Sequence, residues 1–371
     1  MSQSDETLSP AVSSTGFSVF AEAKYSLDVA LSSYESSDPD DHTDDTKRFL
    51  EICFTYFPLE GQVNLSDDVC GCNDNDEIRQ LADSIDIGLL RPLLSKGGKT
   101  PGITPSPLVT FQESVEDLHS RDITLATRNE QGRLRRDCLK RDGYRCTITK
   151  HWSADHKFPP GQPKGTLQAV HIIPSALGSF ATDDERRRIS QIWTHIFRYF
   201  PSLQSTFDMT SEAVNRADNI MMMVDTFHGE FRRFHFVLEA TSTPHQYHIE
   251  TFPRFSSVCE LALPKDRLVS LTNHCPRVDL PGPAHLQLYA AIGNILHASG
   301  RAETIEKLIR DLGETGGSVL SQDGSTNISS LLSVSCLSLI ASSSRPTDSK
   351  VKHHRARLRL PGTENEEPRV N

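Results

Sequence analysis

Two short apolar stretches constrain the chain most: Leu167–His171, and the run Asn-Ile-Met-Met-Met-Val over 219–224. Each is too short for a self-contained helix and has the length of a strand. Pro174 lacks an N–H and stops the first strand. The second is apolar almost throughout, as a strand buried on both faces must be. Asp225 then suits a helix N-cap. Phe227, His228 and Phe231 fall on the short helix that follows, with Phe227 and Phe231 on one side. The pattern predicts one strand ending in a histidine, a second opening on an asparagine, and a helix carrying another histidine.

The flanking sequence predicts more of the same α+β character. Arg233–Ala240 and Gln246–Phe252 alternate at period two around a Thr-Ser-Thr-Pro turn and read as an additional β-hairpin. Asp183–Phe200 reads as an amphipathic helix, with Ile189, Ile192, Trp193, Ile196 and Phe197 on one face and Arg186–Arg188 toward solvent. Tyr144–Ile148 reads as a strand after the Asp142-Gly143 turn. Ala284–Ser299 reads as a helix stopped by Gly300, and Ala302–Leu312 as another.

The N-terminal third is less regular. Residues 1–45 are rich in Ser, Asp and Glu and read as a disordered acidic tail. Residues 46–94 read as a small helical element, with one helix from Lys47 to Pro58 and a second over Asp76–Leu90. Residues 95–127 read as a linker, 128–312 as the main domain, and 313–371 as a disordered Ser-rich tail. The hydrophobic fraction of 36% is low for a fully packed chain and agrees with unpacked ends.

Charge is segregated. The net charge is -10, yet residues 1–127 hold 23 acidic and 8 basic residues, while 128–311 hold 20 and 24. The whole-chain acidity argues against a nucleic-acid partner; the middle segment alone does not. Within it, Arg133, Arg136, Lys140, Arg141 and Arg145 form a basic run, either a solvated helix face or a set of phosphate contacts. Lys352–Arg359 is a second basic stretch, a nuclear-import or nucleic-acid-binding tail or a chance run.

None of the eight cysteines forms a C-x-x-C pair, so zinc-ribbon spacing is absent. Cys70 and Cys72 are either a metal or redox pair in a polar loop or two incidental thiols. With no signal peptide and no apolar stretch long enough to span a bilayer, the expectation is an intracellular protein, nuclear or cytoplasmic, without a membrane partner.

The order of the three central elements resembles the HNH (ββα-metal) endonuclease family. The motifs carrying the resemblance are Ala169-Val-His-Ile-Ile-Pro174 and Asp218-Asn-Ile-Met-Met-Met-Val-Asp-Thr-Phe-His228. Upstream, Arg141-Asp-Gly-Tyr-Arg-Cys146 is similar to the family's lead-in. The helices over 286–312 look like the extension of fungal HNH nuclease domain-containing proteins. The likeness spans roughly 128–312.

The resemblance implies a ββα-metal hairpin-helix core and a hydrolase of nucleic-acid phosphodiester bonds, with DNA as the expected partner. His171 matches the general base; a neutral imidazole suits that role near pH 7. His228 matches a ligand of a divalent ion (Mg, Mn or Zn). Asn219 matches a position that either orients the base-bearing loop or reaches the metal. Arg232 and Arg233, beside the helix, are further phosphate contacts. Val170 stands where many family members carry a metal ligand. That departure supports an alternative: a catalytically degenerate HNH module binding nucleic acid or a protein partner. The 47 residues between His171 and Asn219 form a longer insertion than compact HNH modules carry, and are expected to enlarge the core.

Overall fold

The computed structural model describes residues 11–36, 44–94, 106–120, 128–178, 180, 182–205 and 214–305. The Ser-rich tail, the Lys352–Arg359 stretch and residues 306–312 of the last expected helix lie outside the described residues.

The first correction is at the N-terminus. A 22-residue helix, α1 (Ala11–Ser32), stands where the sequence reads as a tail. Ala23, Leu27 and Leu31 recur every fourth residue and are buried, packing the helix on α3 (Leu59–Cys70). Average composition hid that stripe. Pro58 does end α2 (Thr46–Tyr56), but its fixed φ also makes it the residue from which α3 starts. Helix α4 (Asn75–Ile85) is capped by Asp74, whose carboxylate accepts from Glu77 N at 2.8 Å. It runs through a π-turn (Asp86–Leu90) into α5 (Arg91–Leu94). Helix α6 (Val109–Ser120) lies inside the expected linker. Its Phe111, Val115 and Leu118 are buried at helical spacing, against α8 (Asp183–Tyr199).

The helices of 46–94 are not a separate element. Their buried side chains join those of the following segment in one hydrophobic core. Arg198 on α8 pairs with Asp68 on α3 at 2.6 Å, and Arg301 pairs with Asp45 at 2.7 Å. Phe57 stacks on Tyr199 with centroids 4.8 Å apart.

Helix α7 (Arg128–Arg141) ends in a tight turn with positive φ at Gly143 and Tyr144. Those left-handed residues break the expected strand over 144–148; an isolated bridge between Arg145 and Trp152 remains. Strands β1 (Trp152–Ser153) and β2 (Lys164–Gly165) pair in parallel. Strand β3 (Leu167–His171) then pairs antiparallel with β4 (Ile220–Val224), placing Leu167 opposite Val224 and His171 opposite Ile220. Between them, α8 has its N-terminus capped by Thr182, which accepts from Glu185 N at 3.2 Å. Arg187 faces solvent as expected, in an exposed pair with Glu116 at 2.7 Å, whereas Arg186 is partly buried and lies over the Phe180 ring. Helix α9 (Pro201–Gln204) follows.

A 3-10 turn over Ala217–Asn219 leads into β4, and α10 (Asp225–Arg232) leaves it directly. Val224, not Asp225, flanks the start of α10, and no side chain caps it. All five residues of β4 are buried, as its unbroken apolar run requires. The expected hairpin forms as β5 (Phe236–Ala240) and β6 (Gln246–Thr251). After α11 (Ser257–Glu260), a third strand that the sequence reading missed, β7 (Leu268–Ser270), pairs with β6. Helix α12 (Pro283–Ala298) packs on β5, and Gly300 follows with φ 74°, the conformation that favours glycine after a helix.

Candidate functional site

The antiparallel register carries His171 to the end of β3, opposite the first residue of β4. Its Nε2 lies 3.1 Å from Asn215 Oδ1. An amide oxygen only accepts, so Nε2 is the donor and the Nδ1 lone pair is left available. Burial holds the His171 pKa below the usual 6.5; the Asn215 bond opposes the shift and nearby His228 adds to it. His228 sits half-buried on α10. Burial lowers its pKa too, with Arg232 one turn on contributing and Asp225 opposing. Both imidazoles are therefore neutral at pH 7.

Asn219 holds this arrangement from beneath. It is fully buried. Its Oδ1 accepts from Ile173 N at 2.8 Å, and its Nδ2 donates to Ile173 O and to Val214 O, both at 2.9 Å. Ile173 lies two residues after His171, and Val214 lies one before Asn215. One side chain thus ties both partners of the His171–Asn215 hydrogen bond. Both amide protons and the oxygen are used within the fold. The expectation that it reaches a metal is corrected: its amide faces the protein interior.

Arg141 is a second correction. Expected among the phosphate contacts, it has 0% side-chain exposure. Its guanidinium pairs with Asp142 at 2.6 Å and donates to Ala217 O (2.6 Å), Ile220 O (2.7 Å) and Asp279 O (2.9 Å). Asp142 in turn accepts from Met222 N at 3.1 Å. Strand β4 has β3 on one edge, and this ion pair satisfies backbone groups on the other. The buried guanidinium thereby supplies donors to Ile220 O and Asp279 O, as buried carbonyls require. Sequence gives the charge but not the burial.

Arg133, Arg136, Lys140, Arg145, Arg232 and Arg233 are exposed. Arg145 lies 4.0 Å from the Trp152 ring centroid, and Lys140 lies 3.8 Å from Asp137. Of the six, Arg232 alone lines the cavity that holds the histidines. That cavity, of about 290 Å³, lies between β3 and α10 and is bordered by His171, His228, Arg232 and Ser175, with Leu94 and Phe231 among its apolar walls. Asn215 and Ser175 were not singled out from sequence. Neither belongs to a spaced motif; the fold alone brings them to the site.

The side chains present do not fit a resident divalent ion. Among the described residues no carboxylate borders the cavity, whereas Mg²⁺ is ordinarily held through one or two carboxylates. Zn²⁺ in a catalytic site ordinarily takes three protein ligands. Here there are two imidazoles, one already bonded to Asn215, beside a guanidinium. Val170, at the position where the family resemblance implies a ligand, is buried at 1% exposure. Among the described residues no group of three or more His, Cys, Asp or Glu is placed to hold a metal. Cys70 and Cys72 are directed to different carbonyls, those of Ser26 and Asp68.

Against known proteins, a family model described as HNH endonuclease matches residues 146–239. The match spans β1 to β5 and includes His171, Asn219 and His228. It supports the HNH family for this segment. No curated protein and no solved structure matches the chain. Among the described residues no helix is long and apolar enough to cross a membrane.

Proposed function

We propose that the chain is a nuclease-like HNH protein acting on nucleic-acid phosphodiester bonds, with DNA the first substrate to test and His171 the general base. The observation that carries this reading is that His171 and His228 border one cavity, with the His171 ring oriented by Asn215. A neutral imidazole anchored through Nε2–H presents the Nδ1 lone pair to a water. The water oxygen forms a bond to phosphorus as its proton passes to Nδ1. The bond from phosphorus to one ester oxygen breaks, and that oxygen takes up a proton from solvent. Exposed Arg133, Arg136, Lys140, Arg145 and Arg233 supply sequence-independent phosphate attraction. The family's members generally use a divalent ion to neutralise charge at the phosphate; the described donors of this cavity do not assemble a site for one.

A second reading is a binding module without turnover. The full internal use of the Asn219 amide and the burial of Val170 favour it, because both remove positions from which the family resemblance implied ligands. One experiment separates the two. The full chain is incubated with labelled DNA and RNA in Mg²⁺, Mn²⁺, Zn²⁺ or EDTA, and cleavage and binding are both read. Cleavage that His171→Ala abolishes supports the hydrolase. Binding with no cleavage in every arm supports the module. Neither binding nor cleavage overturns both.

A further inference from the structure

We infer that the cavity between β3 and α10 is an anion site that takes a phosphate group directly against Arg232, in place of a bound divalent ion. The inference rests on the nucleic-acid reading above and adds the ligand chemistry of its site. Its first support is the charge of the wall. Among the described residues Arg232 is the one charged side chain bordering the cavity, and no carboxylate faces it there. A cation entering would meet a guanidinium; an oxyanion would meet a complementary one. Its second support is the donor set. Arg232 presents a planar fork suited to two phosphate oxygens, and the Ser175 hydroxyl can donate to a third. His228 adds a ring N–H in its neutral form.

Size and geometry agree. About 290 Å³ accommodates a phosphate with part of its sugar but not a whole nucleotide step, so the group must be presented by a backbone running along the surface. Arg232 is exposed, so it can meet such a backbone without opening the fold. It is also one turn beyond His228 on α10, which places the phosphate anchor and both imidazoles on one cavity. The apolar walls, Leu94 and Phe231 among them, lower the local dielectric and strengthen an Arg–phosphate contact once water is displaced.

The test is binding in EDTA. The full chain is titrated with a labelled oligonucleotide across a salt series, as wild type, Arg232→Ala, Arg232→Lys and Arg233→Ala. Separately, inorganic phosphate is titrated into wild type while the histidine ring protons are followed by NMR. Wild type should bind without divalent ion. Arg232→Ala should weaken binding by roughly tenfold or more and lower the salt slope by about one contact. Arg232→Lys should recover part of the loss, and Arg233→Ala should cost less than Arg232→Ala. Phosphate should shift the His171 and His228 ring signals in wild type and not in Arg232→Ala. Binding or cleavage that appears only when a divalent ion is added would overturn the anion site while leaving the nucleic-acid reading standing. Loss of binding under all conditions would instead overturn the reading on which it rests. Equal binding by Arg232→Ala and wild type would overturn the inference even if wild type binds in EDTA.

Discussion

The Asn219 side chain forms a reciprocal amide pair with the backbone of Ile173: Oδ1 accepts from Ile173 N at 2.8 Å and Nδ2 donates to Ile173 O at 2.9 Å. A third bond to Val214 O links this pair to the turn carrying Asn215. Replacing Asn219 by Ala would leave three buried backbone groups unpartnered. A loss of about 3 kcal/mol in urea unfolding is expected, together with a weaker His171–Asn215 bond. Unchanged stability in Asn219→Ala would show that the amide is not the tie described.

Arg141 and its neighbours in the basic run should separate cleanly. Arg141→Ala leaves Asp142 buried without its partner and removes the donor to Ile220 O and Asp279 O, a loss of about 3–5 kcal/mol. Thermal and urea unfolding read it. Arg133→Ala and Arg136→Ala should leave stability nearly unchanged and instead reduce the salt dependence of DNA binding by about one contact each. The reverse pattern would restore Arg141 as a phosphate contact.

The buried histidines set an acid limit on stability. His195 is 1% exposed, and burial holds its pKa down to about 4, opposed by its bond to Gln191 O. His171 and His228 are also lowered from 6.5 by burial. In each case the unfolded chain binds the proton first. Their contribution is thus fully present above pH 6.5 and is lost as pH falls, for His195 progressively down to about pH 4. For His195 alone the loss is about 3 kcal/mol. Urea unfolding between pH 7 and 4 measures it, and His195→Phe should flatten part of the slope. A slope that His195→Phe leaves unchanged would contradict the assignment.

How much of this was legible in the sequence depends on whether the signal was local. Strands β3 and β4 and helix α10 were readable because Pro174 stops one strand, the unbroken Met run marks a strand buried on both faces, and Phe227 and Phe231 share a helix side. Helix α1 was missed because its stripe of Ala23, Leu27 and Leu31 lies within a Ser- and Asp-rich composition. Helix α6 was missed because Pro and Gly upstream read as linker. Strand β7 is three residues long, too short for periodicity to register. At the site, the family resemblance marked the two histidines, and the fold brings both to one cavity. Asn215 was not, since its role comes from the turn before β4, and the roles of Asn219 and Arg141 required burial to be known. Charge and amide chemistry are written in the residue; the direction it faces is set by the fold.

The most direct test of the central claim is cleavage of labelled DNA and RNA by the full chain, compared with His171→Ala and His228→Ala, in Mg²⁺, Mn²⁺, Zn²⁺ and EDTA. With His171 as base, wild type should cut, and His171→Ala should slow cutting by roughly 10²–10⁴-fold while the chain stays folded and still binds. Cutting at the same rate by His171→Ala, or no cutting by wild type in any arm, would contradict it.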